Sequence, residues 1–222
     1  MPRRYPRKQV QRYRGKGSTR AIATKALTKA NRLTRSRELK FLDVQAASVV
    51  TTTAGQTIEL SSMSQGDSST TRDGSKVTPK GLWVNYKVVH NSSATTPSTC
   101  RVVIFQTGKV DTVANGLGLT ELFDTSGIAN TELPLLFKRW QNSRPTNYTV
   151  LHDRMFTVFD LGGTKNVQLG KVFIPAKKLK SIIYTDGAAT REFGDISFFM
   201  VTDETVNGPA LTLTSRLIYN DA

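Results

Sequence analysis

Thirteen cations fall within the first 37 residues: Arg3, Arg4, Arg7, Lys8, Arg12, Arg14, Lys16, Arg20, Lys25, Lys29, Arg32, Arg35 and Arg37. The chemistry open to them is phosphate neutralisation. Each cation can replace a counterion condensed on a nucleic-acid backbone, and none of this reads base sequence. Tyr5 and Tyr13 are interleaved with the arginines. Aromatic rings among cations can stack on unpaired bases, or they can simply be solvated; both readings stay open. Arg3, Arg4, Arg7, Lys8, Arg12, Arg14 and Lys16 also form a basic cluster of the kind nuclear importers bind. The alternative is that contact with nucleic acid alone accounts for the charge.

The rest of the chain is almost neutral. From Met1 to Lys40 nine Arg and five Lys stand against one acid, Glu38, a net of +13. From Phe41 to Ala222 there are 17 Lys and Arg against 16 Asp and Glu, a net of +1. A basic arm, 1–40, is therefore joined to a body, 41–222, that must do something else.

Other chemistry finds no footing. His90 and His152 lie far apart in sequence, and neither has a carboxylate or cysteine at ligand spacing. The chain holds no phosphate-binding Gly-x-x-x-x-Gly-Lys-Ser/Thr loop and no Gly-x-Ser-x-Gly elbow. In Gly116-Leu117-Gly118, Glu121 stands where a dinucleotide-binding loop needs its third glycine. Asp203-Glu204, with Asp195 nearby in sequence, is the one acid pairing that suggests a hard cation; a solvated loop is the simpler reading. Lys177, Lys178 and Lys180 are read as a solvated turn. No enzyme activity, cofactor or metal is expected.

The single cysteine, Cys100, excludes an intrachain disulfide and is read as a small core residue in the run Cys100-Arg101-Val102-Val103-Ile104-Phe105. No apolar run approaches the ~18 residues of a membrane span, so no membrane insertion is expected. The opening residues lack the apolar core of a signal peptide. They also lack the shape of a transit peptide, because Pro2 and Pro6 oppose an amphipathic helix.

These groups must be positioned by two kinds of chain. Residues 1–17 combine Pro2, Pro6, Gly15 and Gly17 with dense charge, which predicts disorder. From Ser18 or Thr19, either of which can cap a helix, Ile22, Ala26, Ala30 and Leu33 recur at helical spacing, with Ala23 and Leu27 beside them. This predicts a weakly amphipathic basic helix, formed on a polyanion or packed on the body. Beyond Phe41 the texture is β. Strands are predicted over Phe41–Thr53, Gln56–Ser61, Lys80–His90, Thr99–Thr107, Tyr148–Asp160, Gln168–Ile174, Lys180–Thr185, Asp195–Thr202 and Leu211–Tyr219. A long connection, Thr112–Leu136, carries a helical piece around Leu117–Phe123. So many strands with little helix predict an all-β sandwich, and at this size an eight-stranded jelly roll.

Several stretches together resemble the capsid proteins of small circular single-stranded DNA viruses, a group whose shells are similar to those of satellite RNA viruses. A basic arm leads into Glu38-Leu39-Lys40-Phe41-Leu42-Asp43. Met63-Ser64-Gln65-Gly66-Asp67 is followed by Arg72-Asp73-Gly74-Ser75-Lys76-Val77 and the strand Leu82–Val89, like the family's Gln-Gly turn and Arg-x-Gly-x-Lys element, with Val77 in its last position. Arg101–Phe105 precedes a long connection. Val150-Leu151-His152-Asp153 looks like the family's Val-Leu-x-Asp strand, and Ser215–Asp221 resembles its C-terminal strand. The order of these motifs, more than any one, carries the resemblance.

The resemblance implies a viral jelly roll with a disordered or partly helical basic arm. It implies self-assembly into an icosahedral T=1 shell of sixty copies, with the arms facing inward onto a single-stranded genome, expected to be circular DNA. It implies residence in the virion, passage through the host nucleus and a cell-surface receptor whose site it does not place. Arg72, Gly74 and Lys76 carry over as a structural signature only. The competing reading is a ribosomal or other cellular nucleic-acid-binding protein with a basic tail; its body would be expected to be basic as well.

Overall fold

The computed structural model describes residues 23–29, 39–108, 122–123, 148–161, 164–185 and 187–221. The chain divides into two units, 1–37 and 38–222, each described by itself. In the first, residues 23–29 are helical.

The second unit is built from β1 (Lys40–Val50), β2 (Gln56–Glu59), β3 (Lys76–Val89), β4 (Ser98–Thr107) and β5 (Tyr148–Val158), then the short β6 (Asp160–Leu161) and β7 (Thr164–Lys165). There follow β8 (Val167–Pro175), a 3-10 turn (Ala176–Lys178), β9 (Ile182–Tyr184), β10 (Arg191–Phe193), β11 (Ile196–Thr202) and β12 (Ala210–Asp221). One sheet has the order β1-β12-β3-β8, with β9 on the start of β3 and β10 on β9. The other has the order β2-β11-β4-β5. All these pairings are antiparallel. Apart from the step β4 to β5, the run β8 to β10 and the small β6–β7 pair, the chain crosses from one sheet to the other at each step, which makes this two-sheet sandwich a jelly roll.

Period-two alternation explains why these residues form these strands. In β3, Leu82, Val84, Tyr86 and Val88 are buried, while Trp83, Asn85 and Lys87 are exposed. Leu211, Leu213, Leu217 and Tyr219 of β12 enter the same core. The other sheet supplies Cys100, Val102 and Ile104 from β4, with Ile196, Phe198 and Met200 from β11. Cys100 is the core residue expected, and burial pushes its thiol up to about 12.

β4 and β11 are buried on both faces. Their second faces, Val103, Phe105, Phe199 and Val201, form a separate cluster with Leu122 and Phe123 of the long connection. The Tyr148 hydroxyl donates to the Leu122 carbonyl at 2.9 Å. The rest of the helical piece expected over Leu117–Phe123 lies outside the described residues.

Arg72, fully buried, ties the segment before β3 to the loop after β9. Its guanidinium donates to the carbonyls of Gly74 (2.5 Å), Thr185 (3.2 Å) and Ala188, and lies 4.5 Å over the Tyr184 ring. The Tyr184 hydroxyl in turn donates to the Ser61 carbonyl at 2.6 Å. Gln65 completes the joint, donating to the Asp73 carbonyl (2.9 Å) and accepting from the Gly187 amide (3.0 Å).

Lys40 is 4% exposed and sits in β1, with its ammonium 2.7 Å from Asp73 and 3.0 Å from Asp221. Although its charge groups it with the arm, its backbone belongs to the first strand of the sandwich, opposite Tyr219.

Arg72→Ala is expected to lower stability by about 3 kcal/mol or more, because three carbonyls lose a charged donor and a buried volume empties. Arg72→Lys should recover only part of the loss, since an ammonium cannot reproduce the fork. Urea unfolding, followed by circular dichroism, measures both.

Candidate nucleic-acid interface

Of the thirteen arm cations, Lys25 and Lys29 fall among the described residues. Arg3, Arg4, Arg7, Lys8, Arg12, Arg14, Lys16, Arg20, Arg32, Arg35 and Arg37 lie outside them, as do Tyr5 and Tyr13. Lys25 and Lys29 stand one turn apart on one face of the 23–29 helix. Every residue of that helix is exposed, Ala26 and Leu27 included, with Leu27 64% exposed. The Thr28 hydroxyl donates back to the Thr24 carbonyl at 2.8 Å. Like charges at this spacing cost a few tenths of a kcal/mol in an isolated helix, and a polyanion alongside would reverse that sign. Ile22, Ala30 and Leu33, the other members of the expected stripe, lie outside the described residues.

The acids read as a hard-cation candidate have other duties. The Asp203 carboxylate accepts the Thr99 amide at 2.8 Å, and Glu204 accepts the Thr96 hydroxyl at 2.8 Å. Asp195 is buried between Arg191 (2.7 Å), Ser61 (2.6 Å) and Ser197 (3.3 Å). Burial pushes its carboxyl above the usual range, and Arg191 opposes that shift without cancelling it. Among the described residues no three His, Cys, Asp or Glu side chains gather as a metal site. His90 is buried and its Nε2 pairs with the Thr96 carbonyl at 3.0 Å. Lys177 and Lys178 are solvated as expected, and the Lys180 ammonium donates to the Thr149 hydroxyl at 3.1 Å.

The body carries a second cationic surface that its near-neutral total conceals. The outward face of the β1-β12-β3-β8 sheet is arranged in rows by register. Asp43, Arg216, Trp83 and Phe173 stand side by side; next come Gln45, Thr214, Asn85 and Lys171; then Thr212, Lys87 and Leu169. Trp83 is 38% exposed, Phe173 49% and Leu169 69%. The Trp83 and Phe173 rings lie 4.4 Å apart at 33°, and the Lys171 ammonium sits 5.7 Å from the Trp83 centroid.

Arg216 holds Asp43 in a two-bond fork at 2.7 and 2.6 Å, which keeps that carboxyl below its ordinary range. Three cations on this face thus meet one carboxylate, and it is already paired. Among the described residues Lys87 has no ion-pair partner.

Two shallow grooves flank these rows. One, of about 370 Å³, runs between Lys87, Leu169, Lys171, Thr212 and Thr214; the other, of about 250 Å³, lies between Asp43, Trp83, Asn85 and Arg216. Gly170 lets the Tyr86 ring lie across β8 on the core side of the sheet. A Cβ on it would fall 2.0 Å from the Tyr86 ring, which turns inward directly opposite. Charge counting missed this face because the acids elsewhere in the body offset it. The legible signal was alternation: Leu82, Val84, Tyr86 and Val88 point inward, so Trp83, Asn85 and Lys87 must point out.

No family model matches the chain, and no curated protein does. Among solved structures it is similar to that of Desmodium yellow mottle tymovirus, at 14% identity over 83% of this chain and 86% of that one, with a TM-score of 0.39. An empty head of turnip yellow mosaic virus aligns at 9% identity over 84% and 82%, TM-score 0.38. A T13 IBDV viral particle aligns at 12% identity over 84% of this chain and 40% of that one, TM-score 0.29. Likenesses this distant carry no inference about what the chain does.

Proposed function

We propose that this chain is a viral capsid protein that assembles with copies of itself and packages single-stranded nucleic acid through its basic N-terminal arm. The observation that carries the reading is the union of a jelly roll with a +13 arm ahead of a near-neutral body. A neutral sandwich can lie against its own copies without mutual repulsion, while the arm needs a polyanion. The finer reading follows the motif resemblance: an icosahedral T=1 shell of sixty copies, enclosing circular single-stranded DNA. Sixty arms of thirteen cations bring about 780 charges to the interior, each able to replace a counterion on phosphate. A cellular nucleic-acid-binding protein with a basic tail is the alternative, and it predicts no particle.

Electron microscopy of the purified chain is expected to show closed shells, and a monodisperse monomer at high concentration, with or without nucleic acid, overturns the reading.

Deletion of residues 1–37 should leave the sandwich as stable as in the full chain and remove co-purified nucleic acid. Undiminished binding by the truncated chain would rule out the arm. Lys40 must be retained. Lys40→Met in the full chain should cost about 2 kcal/mol in urea unfolding, since Asp221 then lacks its buried cation and the half-exposed Asp73 loses less.

The cluster Arg3, Arg4, Arg7, Lys8, Arg12, Arg14 and Lys16 is proposed to serve nuclear import as well, on the view that the genome is copied in the host nucleus. A reporter fused to residues 1–17 should concentrate in nuclei, and neutralising these seven positions should disperse it. A reporter that stays diffuse despite the intact cluster contradicts the import role and leaves packaging untouched.

A further inference from the structure

We propose that the outward face of the β1-β12-β3-β8 sheet is a second nucleic-acid site, a stacking platform for unpaired bases centred on Trp83 and Phe173. The proposal rests on the packaging reading and adds to it a site outside the arm. Base–aromatic stacking needs an exposed ring with cations beside it to hold the backbone. An open antiparallel sheet displaying such rings is a known solution for single strands.

This face meets each requirement. Trp83 and Phe173 are exposed and packed together at 4.4 Å. Lys171 lies beside the Trp83 ring, and Lys87 is diagonally across the strand pair from it, about 7–8 Å away at Cβ. Asn85 and Thr214 stand opposite one another between the aromatic row and Lys87, where they can meet base edges. The only carboxylate in the rows, Asp43, is turned to Arg216 by its two-bond fork and does not repel phosphate at Lys87 or Lys171.

A second copy of the chain is the competing occupant of an exposed aromatic patch. Interface cores are enriched in aromatics but depleted in lysine. Here Lys87 and Lys171 flank the rings and, among the described residues of these rows, the one carboxylate is already paired, so the complement the face calls for is anionic and planar. The other sheet differs: on its outer face Val103, Phe105, Phe199 and Val201 lie under Leu122 and Phe123, so that patch is apolar and covered rather than cationic and open.

Intrinsic fluorescence tests the assignment. The chain has two tryptophans, and Trp140→Phe in the full-length protein leaves Trp83 as the sole reporter. An oligothymidylate carrying a fluorescent label is added at low ionic strength. Its anisotropy reads total binding, arm included, while Trp83 emission reads the sheet face. Saturable quenching of Trp83 is expected, and the pair Lys87→Glu and Lys171→Glu should shift the quenching midpoint about tenfold or more while moving the anisotropy midpoint far less.

Unquenched Trp83 at concentrations that saturate the anisotropy overturns the proposal and leaves packaging by the arm standing. Absence of any anisotropy change overturns both. Trp83 shielded from acrylamide in nucleic-acid-free shells, and freed on dissociation, assigns the face to contact between copies and overturns the proposal. If Trp140→Phe does not fold, the wild type compared with Trp83→Phe serves instead, the quenched emission being the part that Trp83→Phe removes.

Discussion

The sandwich is closed at one corner by a buried lysine held between two carboxylates, one largely buried and one half-exposed. Lys40 opens β1, Asp73 precedes β3 and Asp221 ends β12, and their side chains meet within 3.0 Å. These lie at or just beyond the ends of three neighbouring strands of one sheet, so a single ammonium ties the three ends together. Burial by itself disfavours the charged amine, but the hydrogen bonds with Asp73 and Asp221 outweigh it and hold the ammonium protonated above its ordinary range. Removing Lys40 would leave the largely buried Asp221 without its cation, which is more costly than never having placed the pair. Arg72 lies beside this corner and extends it, carrying the chain from Asp73 across to Thr185 and Ala188. From that anchorage β3 and β12 pair antiparallel along almost their whole lengths, with one register shift between Ile218 and Tyr219.

The strands were largely legible because most show one buried face. Leu82 to Val88 and Leu211 to Tyr219 alternate cleanly, and both lie where alternation puts them. β3 begins earlier than propensity suggests, at Lys76, because Pro79 discourages a strand there. The structure accommodates Pro79 opposite Tyr219, beside a register shift between Ile218 and Tyr219, one of the few places a sheet admits proline. β10 and the β6–β7 pair were not legible, since two or three residues carry no periodicity. Lys40 was misgrouped for a different reason. Counting charge along the chain cannot see that its partners stand 33 and 181 residues away in sequence.

The site was legible only in part, and for a related cause. The arm is written as a density of like charge, which needs no fold to be recognised. The sheet face is written as three short alternations, in β3, β8 and β12, whose outward residues mean nothing until register sets them side by side. Trp83 is four residues from Lys87 along one strand, while Phe173 and Lys171 come from a strand some ninety residues on. A near-neutral sum over 182 residues then hid a face on which three cations meet one carboxylate.

On the proposed reading, the separation of charge also sets the order of events. Bodies of net charge near +1 repel one another weakly and can approach, but each brings a +13 arm to the same side of the wall. Without a polyanion, closing a shell gathers those arms into a small volume, where their repulsion works against closure. With one, every phosphate neutralised releases a counterion and the same charges favour assembly. For the full chain the polyanion is then a condition for closure as well as a cargo, and an empty shell is the less stable product at low salt. A base-stacking face on the wall would add a term that salt does not screen, holding the strand where arms alone would let it slide. On that reading diffuse charge would set how much nucleic acid the interior holds, and the ordered sheet would set where some of it rests.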